Sequence, residues 1–392
     1  MLPLAGITVV ALEQAVAAPF ATRQLADLGA RVIKIERPGT GDFARSYDST
    51  VKGLSSHFVW LNRSKESLTL DLKHPEAAKI VTRLLERADV FVQNLAPGAA
   101  ARMNLSADKL TARNPRLIVC DISGYGSRGP YRHKRAYDLL VQCETGLVST
   151  TGTEDTPSKV GISAADIAAG MYAYSGILTA LYRRERTGRG AAMEVSLFDA
   201  LGEWMGYPAY FTAYGGTPPA RTGASHATIA PYGPFATGDS KWVNLGIQNE
   251  REWARFCESV LQRPALAIDP RFNNVANRVA HRAALTAVIH EVFGKLSRDE
   301  IVARLDQAQI ANASQNTMQE FWDHSQLAAR ERWREVASPA GPIKALLPPV
   351  IMDDTETRMD PIPAVGEQTH AILEALGYSN SQIAALRADS AI

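Results

Sequence analysis

The chain has 392 residues, 46% of them apolar and 21% charged, with a net charge of +1. That length exceeds one ordinary core and points to two or three domains. The near-neutral balance argues against a dedicated nucleic-acid binder, which needs a strong cationic face. Three scattered cysteines (Cys120, Cys143, Cys257) form no CxxC pair, and no leader or bilayer-spanning run is visible. A cytoplasmic protein is expected, with no disulfide, metal site or membrane partner.

The first half alternates strand and helix signals. A β-branched run at 7–12 is followed by a helical pattern at 19–28, then a strand at 31–36 and the loop Arg37-Pro38-Gly39-Thr40-Gly41. The cycle repeats: strand 68–72, helix 75–87, strand 90–94, helix 106–113, strand 117–122. Strands separated by helices of this length predict a parallel sheet with right-handed crossovers, a Rossmann-like α/β domain. Helices follow at 137–146 and 163–184, and a strand at 193–197. The Gly-, Pro- and Thr-rich stretch 217–238 changes the texture and suggests a domain boundary. A strand at 242–247, a mainly helical region to about 330, a Pro-rich extended tail at 339–363 and a helix at 366–376 complete the chain. The expected division is a large domain over 1–200, a linker at 201–225, a smaller α+β domain at 226–330, and a return segment at 331–392 that completes the first.

Gly124-Tyr-Gly126-Ser-Arg-Gly129 fits G-x-G-x-x-G, but Pro130 and a basic run follow where a dinucleotide site needs a helix. The first strand–helix turn, Glu13-Gln-Ala-Val-Ala-Ala-Pro19, has no glycine, which sets NAD aside. Asp166 lies among small residues in Gly161-Ile-Ser-Ala-Ala-Asp-Ile-Ala-Ala-Gly-Met171. Its spacing from Ser163 fits a capping box, worth about 0.3–1 kcal/mol through the helix dipole alone. The same position, with room for a bulky thioester, suits a carboxylate nucleophile that the helix N-terminus keeps ionised. Arg37, Arg45, Arg63, Lys65, Lys73 and Arg102 cluster where the first strands are predicted to end. They are either a solvated surface or a phosphate site, since the guanidinium fork matches phosphate.

Taken together these segments resemble the family III (CaiB/BaiF) CoA-transferases. The markers include Leu25-Ala-Asp-Leu-Gly-Ala-Arg-Val-Ile-Lys-Ile-Glu36, Gly41-Asp42, Asn62-Arg-Ser-Lys65, Leu70-Asp-Leu72, Asn94, Pro97-Gly98, Tyr137-Asp138, Arg186-Thr-Gly-Arg-Gly190 and, in the tail, Gly366-Glu-Gln-Thr-His370. The resemblance covers nearly the whole chain and is weakest over 200–330.

It implies that Asp166 is the nucleophilic aspartate, which overrides the capping-box reading. It implies CoA contacts at Ala15, Val16, Ala17, Arg37, Leu70, Lys73, Asn94, Leu95, Arg102, Arg135 and Tyr137. Coenzyme A thioester enters as substrate, with a free carboxylic acid, and no permanently bound cofactor is expected. The partner is a second copy, the two chains interlinked. The similar α-methylacyl-CoA racemases place a histidine before the aspartate of the Tyr137-Asp138 pair, and a non-catalytic CoA-binding module would lack Asp166, so this chain reads as a transferase. The glycine-rich flap of the oxalate-specific branch is missing, which argues against oxalate. The segment from Arg221 to Tyr232 resembles transferases that use succinyl-CoA with itaconate, citramalate, mesaconate or malate. Arg221 or His226 either holds the distal carboxylate of such an acid or ties down the interdomain loop.

Overall fold

A computed structural model describes residues 1–392. Six parallel strands form the central sheet: β1 (Thr8–Leu12), β2 (Arg31–Glu36), β3 (Lys65–Thr69), β4 (Val90–Gln93), β5 (Ile118–Ser123) and β6 (Ala192–Ser196). Their order is β3-β2-β1-β4-β5-β6. The chain winds outward from β1 in one direction, then returns to β4 and winds in the other, so the topology reverses between β1 and β4. Val9 of β1 pairs with Val32 on one side and Val90 on the other. Strands covered on both faces read as nearly continuous apolar runs, as β1 and β4 do.

Five helices shape the site and its support: α1 (Ala17–Asp27), α2 (Ala77–Glu86), α3 (Ala107–Arg113), α4 (Asp138–Glu144) and α5 (Ala164–Thr187). The stripe Ile80, Val81, Leu84 and Leu85 of α2 packs with Phe91, Val119, Ile372 and Leu373. Each such side chain contributes roughly 1.5–3 kcal/mol by leaving water. Gly188 ends α5 in a left-handed conformation, φ 70°, that a residue with a Cβ adopts only at a cost. Helices α1 and α5 pack through small residues, and Gly170 lies against the backbone of α1. A Cβ there would stand 2.7 Å from the Ala17 carbonyl oxygen.

The sheet belongs to a unit built from residues 1–145, 160–205 and 326–392. Within it the strand expected at 68–72 begins at Lys65, because Lys65 and Ser67 pair with Val32 and Lys34 although neither is apolar. The tail carries an antiparallel hairpin, Trp333–Val336 with Ile343–Leu346, whose second strand falls in what reads as an extended Pro-rich stretch. Beyond the helix Thr369–Ala375 lies another, Asn380–Ala388, opened by a Ser379–Gln382 capping box. The Thr69 N–H donates to Thr369 Oγ1 at 2.9 Å and the Ser67 N–H to Gln368 Oε1 at 2.7 Å, which fastens the tail to β3.

A second unit comprises residues 146–159 and 206–325. Its three antiparallel strands, Tyr232–Ala236, Trp242–Gly246 and Asn312–Ser314, share a core of Trp253, Phe256, Phe272, Phe293 and Ile301 with the surrounding helices. The stretch 201–225, expected as a linker, contains the whole helix Gly206–Gly215. That helix buries none of its residues, although Tyr207, Tyr210, Phe211 and Tyr214 fall on one face.

Candidate active site

A cleft of about 670 Å³ opens in the first unit at the carboxyl ends of β1, β2, β4, β5 and β6. Ligands of open α/β sheets bind at such a reversal. Its floor is a bridge across the switch point: the Gln14 N–H donates to Asn94 Oδ1 at 2.9 Å, and Asn94 Nδ2 donates to the Gln14 carbonyl at 2.8 Å. Ala15 follows in a left-handed conformation, φ 60°, unusual for a residue with a Cβ. Its N–H donates to Asp42 Oδ1 at 3.1 Å, which holds the strained turn in place. The turn delivers the start of α1 to the cleft wall, with its unbonded amides and positive dipole end, a setting suited to anions.

Of the CoA positions read from the sequence, Ala15, Val16, Ala17, Arg37, Asn94, Leu95, Arg135 and Tyr137 line this cleft together with Asp166. Arg37 and Arg135 are exposed and have no ion-pair partner, so both are available to an anionic ligand. Leu70, Lys73 and Arg102 are not among the lining residues. Leu70 is buried in the core beside Ile35 and Leu68, whereas Lys73 and Arg102 are exposed.

Asp166 lies in the first turn of α5, and the capping box does not form: Ser163 makes no side-chain bond to the helix start. Asp138 caps it instead. Its Oδ1 accepts the Ala165 N–H at 2.8 Å and the Asp166 N–H at 3.3 Å, and its Oδ2 accepts from Gln142 Nε2 at 2.6 Å. The expectation that the helix N-terminus keeps Asp166 ionised is overturned. Burial, and then the Asp138 carboxylate beside it, push the Asp166 carboxyl up to about 7. The amides that would have favoured the charge are spent on Asp138.

Three of the cations proposed for phosphate are committed elsewhere. Arg45 forms a bidentate pair with Glu36 at 2.8 and 2.7 Å. Arg63 does the same with Asp27 at 2.8 and 2.7 Å. Lys65 lies 2.6 Å from Glu13, with its side chain fully buried. Arg63 and Lys65 in fact precede β3 or open it, so they stand away from its carboxyl end. The same network includes Lys34, 2.8 Å from Asp42, and it anchors the loop that carries Asp42 to Ala15. Glu36 is drawn down to about 2 against the cost of its burial, by Arg45 and Lys34.

In the second unit Arg221 donates to the backbone carbonyls of Thr153, Ser149 and Glu154 at 2.9, 3.2 and 2.6 Å. His226 stacks on Tyr232 at 5.2 Å, its Nδ1 accepts the Thr228 N–H, and its carbonyl accepts from Arg282. Both side chains thus tie down local backbone. Sequence reading missed Tyr47, His57, Asp138 and Gln142. Tyr47, His57 and Asp138 line the cleft. The His57 ring meets Tyr47 edge-on at 5.3 Å and lies 3.8 Å from Asp48. Only Asp138 left a signal, as the partner of Tyr137 in the quoted pair. Where the racemases have histidine, Tyr137 faces the cleft, and His133 stands outside its lining.

The model of CoA-transferase family III matches residues 4–369. An acetyl-CoA:oxalate CoA-transferase of Acetobacter aceti is 38% identical over 75% of this chain and 75% of its own length. A succinyl-CoA:glutarate CoA-transferase of Mus musculus is 32% identical over 98% of this chain and 88% of its own. Among solved structures, a CaiB/BaiF family protein from Brucella suis has a TM-score of 0.84 at 33% identity, covering 95% of this chain and 99% of that one.

Proposed function

The chain belongs to the family III CoA-transferases, and on that premise we propose that it moves CoA from succinyl-CoA to a four- or five-carbon dicarboxylic acid such as itaconate, through a covalent intermediate on Asp166. The observation that carries this reading is the placement of the Asp166 carboxyl in the wall of the switch-point cleft, among the positions expected to hold CoA. Asp166 attacks the thioester carbonyl carbon, and the C–S bond breaks with its electron pair on the CoA thiolate, leaving a mixed anhydride. The thiolate then attacks the aspartyl carbonyl carbon, the bond between that carbon and the bridging oxygen breaks, and the donor acid leaves as its carboxylate. An incoming carboxylate runs the two steps backwards. No proton or electron has to be supplied from outside, and activated acyl groups of similar energy are exchanged. Amides of the α1 start line the same cleft and are fixed donors for charge that develops on oxygen.

The choice of acid rests on the relatives, whose names specify glutarate and oxalate. Both are dicarboxylic, which puts oxalate back among the acids to be tested although the flap is missing. His57 lines the cleft and brings an N–H donor to the wall that Tyr47 shares, so it joins Arg221 and His226 as a candidate for the distal carboxylate. The bare aromatic face of the helix Gly206–Gly215 supports the interlinked dimer, since an exposed stripe of this kind marks a contact surface. Three free thiols suit a reducing cytoplasm. The test is to incubate the protein with succinyl-CoA and itaconate, citramalate, mesaconate, malate, glutarate, oxalate or butyrate, and read new thioesters by mass. Asp166→Ala should form none, and full transfer by that variant would sink the assignment.

A further inference from the structure

Transfer through Asp166 gives no task to the groups behind that carboxyl. Asp138 is a second carboxylate at the start of α5, and the structure holds it with unusual care. Gln142, one turn further along α4, is fully buried. Its Nε2 donates to Asp138 Oδ2 at 2.6 Å and to the Ile162 carbonyl at 3.3 Å, while its Oε1 accepts the Val160 N–H at 3.2 Å. Both ends of the amide are therefore engaged, and the side chain is fixed from three directions. Asp138 in turn takes the Ala165 and Asp166 amides. These are the donors that an acidic residue in the first turn of a helix ordinarily enjoys.

We propose that Asp138, clamped by Gln142, is a positioning residue that withholds the first amides of α5 from Asp166 and sets its reactivity as the acyl acceptor. This rests on the reading of Asp166 as nucleophile. A carboxylate solvated by two amides and a helix dipole is a weak nucleophile. One that faces a like charge, with those amides already occupied, gains more by forming a covalent bond that removes its charge.

The other charged or titratable groups lining the cleft with Asp166 are Arg37 after β2, Tyr47 and His57, Lys134 and Arg135 after β5, and Tyr137 before α4. Lys134 is paired with Glu144 and stacked on Tyr131. Burial and then the Asp138 carboxylate raise the Asp166 carboxyl.

Activity alone would report on every group in the cleft at once. The carboxyl carbon must be observed directly. The intact protein is labelled with aspartate carrying ¹³C at the side-chain carboxyl, and the Asp166 signal is identified by its loss in Asp166→Asn. Titration without substrate is compared among the parent, Asp138→Asn and Asp138→Ala. Asp138→Asn removes the charge and keeps an oxygen for the two amides, and the Asp166 midpoint should fall by about one unit. Asp138→Ala also frees the amides, and the midpoint should fall further. The acid limb of kcat/KM against pH should move with the midpoint. A midpoint unchanged in Asp138→Asn overturns the proposal, and equal midpoints in the two variants overturn the role given to the amides. Because the titration needs no turnover, these outcomes are separate from the failure of the nucleophile reading, which would show as transfer by Asp166→Ala.

Discussion

Replacing Asp166 by asparagine should make the protein more stable at high pH and leave it nearly unchanged at low pH. In the folded protein the Asp166 carboxyl is raised from 3.8 to about 7, by burial and then by Asp138. Unfolded, it returns to its ordinary value near 4. Between those two values the folded state binds the proton more tightly, so stability falls as pH rises through the window. The displacement is about three units, and at about 1.36 kcal/mol per unit the cost above pH 7 reaches about 4 kcal/mol as a ceiling. The carboxyl is only half-buried, so water moderates this figure. Asparagine carries no charge at any pH and escapes the penalty. Urea unfolding of both proteins at pH 4.5 and pH 8.5 isolates the electrostatic part, because any packing change is common to the two conditions. The variant's advantage should grow by about 2–3 kcal/mol between them. A difference independent of pH would show that Asp166 titrates as an ordinary surface carboxyl, and one that shrinks as pH rises would show that folding lowers its proton affinity; either result refutes the reasoning.

Gly170→Ala puts a Cβ 2.7 Å from the Ala17 carbonyl oxygen, so α1 has to move off α5; unfolding should show a loss of about 1–3 kcal/mol, and KM for the acyl-CoA should rise because Ala17 lines the cleft. Arg221→Ala removes the donor to three carbonyls of the 149–154 stretch; if its role is structural, transfer to itaconate and to butyrate should fall by the same factor, whereas a loss of about 30-fold or more confined to itaconate would restore it to substrate binding. An interlinked dimer cannot separate without unfolding, so sedimentation should give one dimeric species at every concentration, and a monomer–dimer equilibrium in the micromolar range would refute the linkage.

Much of the first unit is legible because parallel strands advertise themselves as apolar runs. β1, β2, β4 and β5 all fall within a residue or two of their expected bounds for that reason. β3 shows where this fails. It opens with Lys65 and Ser67, and its pairing with β2 rests on partners for those polar groups, Glu13 and Glu36, that lie far off in sequence. The hairpin at 333–346 is hidden by Pro339 and Pro342, which fall in its loop rather than its strands. At the site, the backbone positions of the switch point can be found because the fold dictates where a βα turn ends. The cap on α5 cannot. Ser163 has the right type and spacing, yet Asp138 occupies the amides from 27 residues away, and spacing along the chain carries no sign of that.

The buried ion pairs give a reason why the nearest cations in sequence do not serve the ligand. Glu13, Asp27, Glu36 and Asp42 are all buried, and an unpaired carboxylate in such a place would cost several kcal/mol. Lys34, Arg45, Arg63 and Lys65 are therefore bound to them before any substrate arrives. Removing one partner is expensive, so this lattice is rigid, and through Asp42 it holds Ala15 in its strained turn. What remains for an anionic ligand is a set of fixed backbone amides at the α1 start, with Arg37 and Arg135 exposed at the rim. Such a division separates the work. The interior charges hold the backbone turn beside the cleft, and Arg37 and Arg135 stand exposed along its lining.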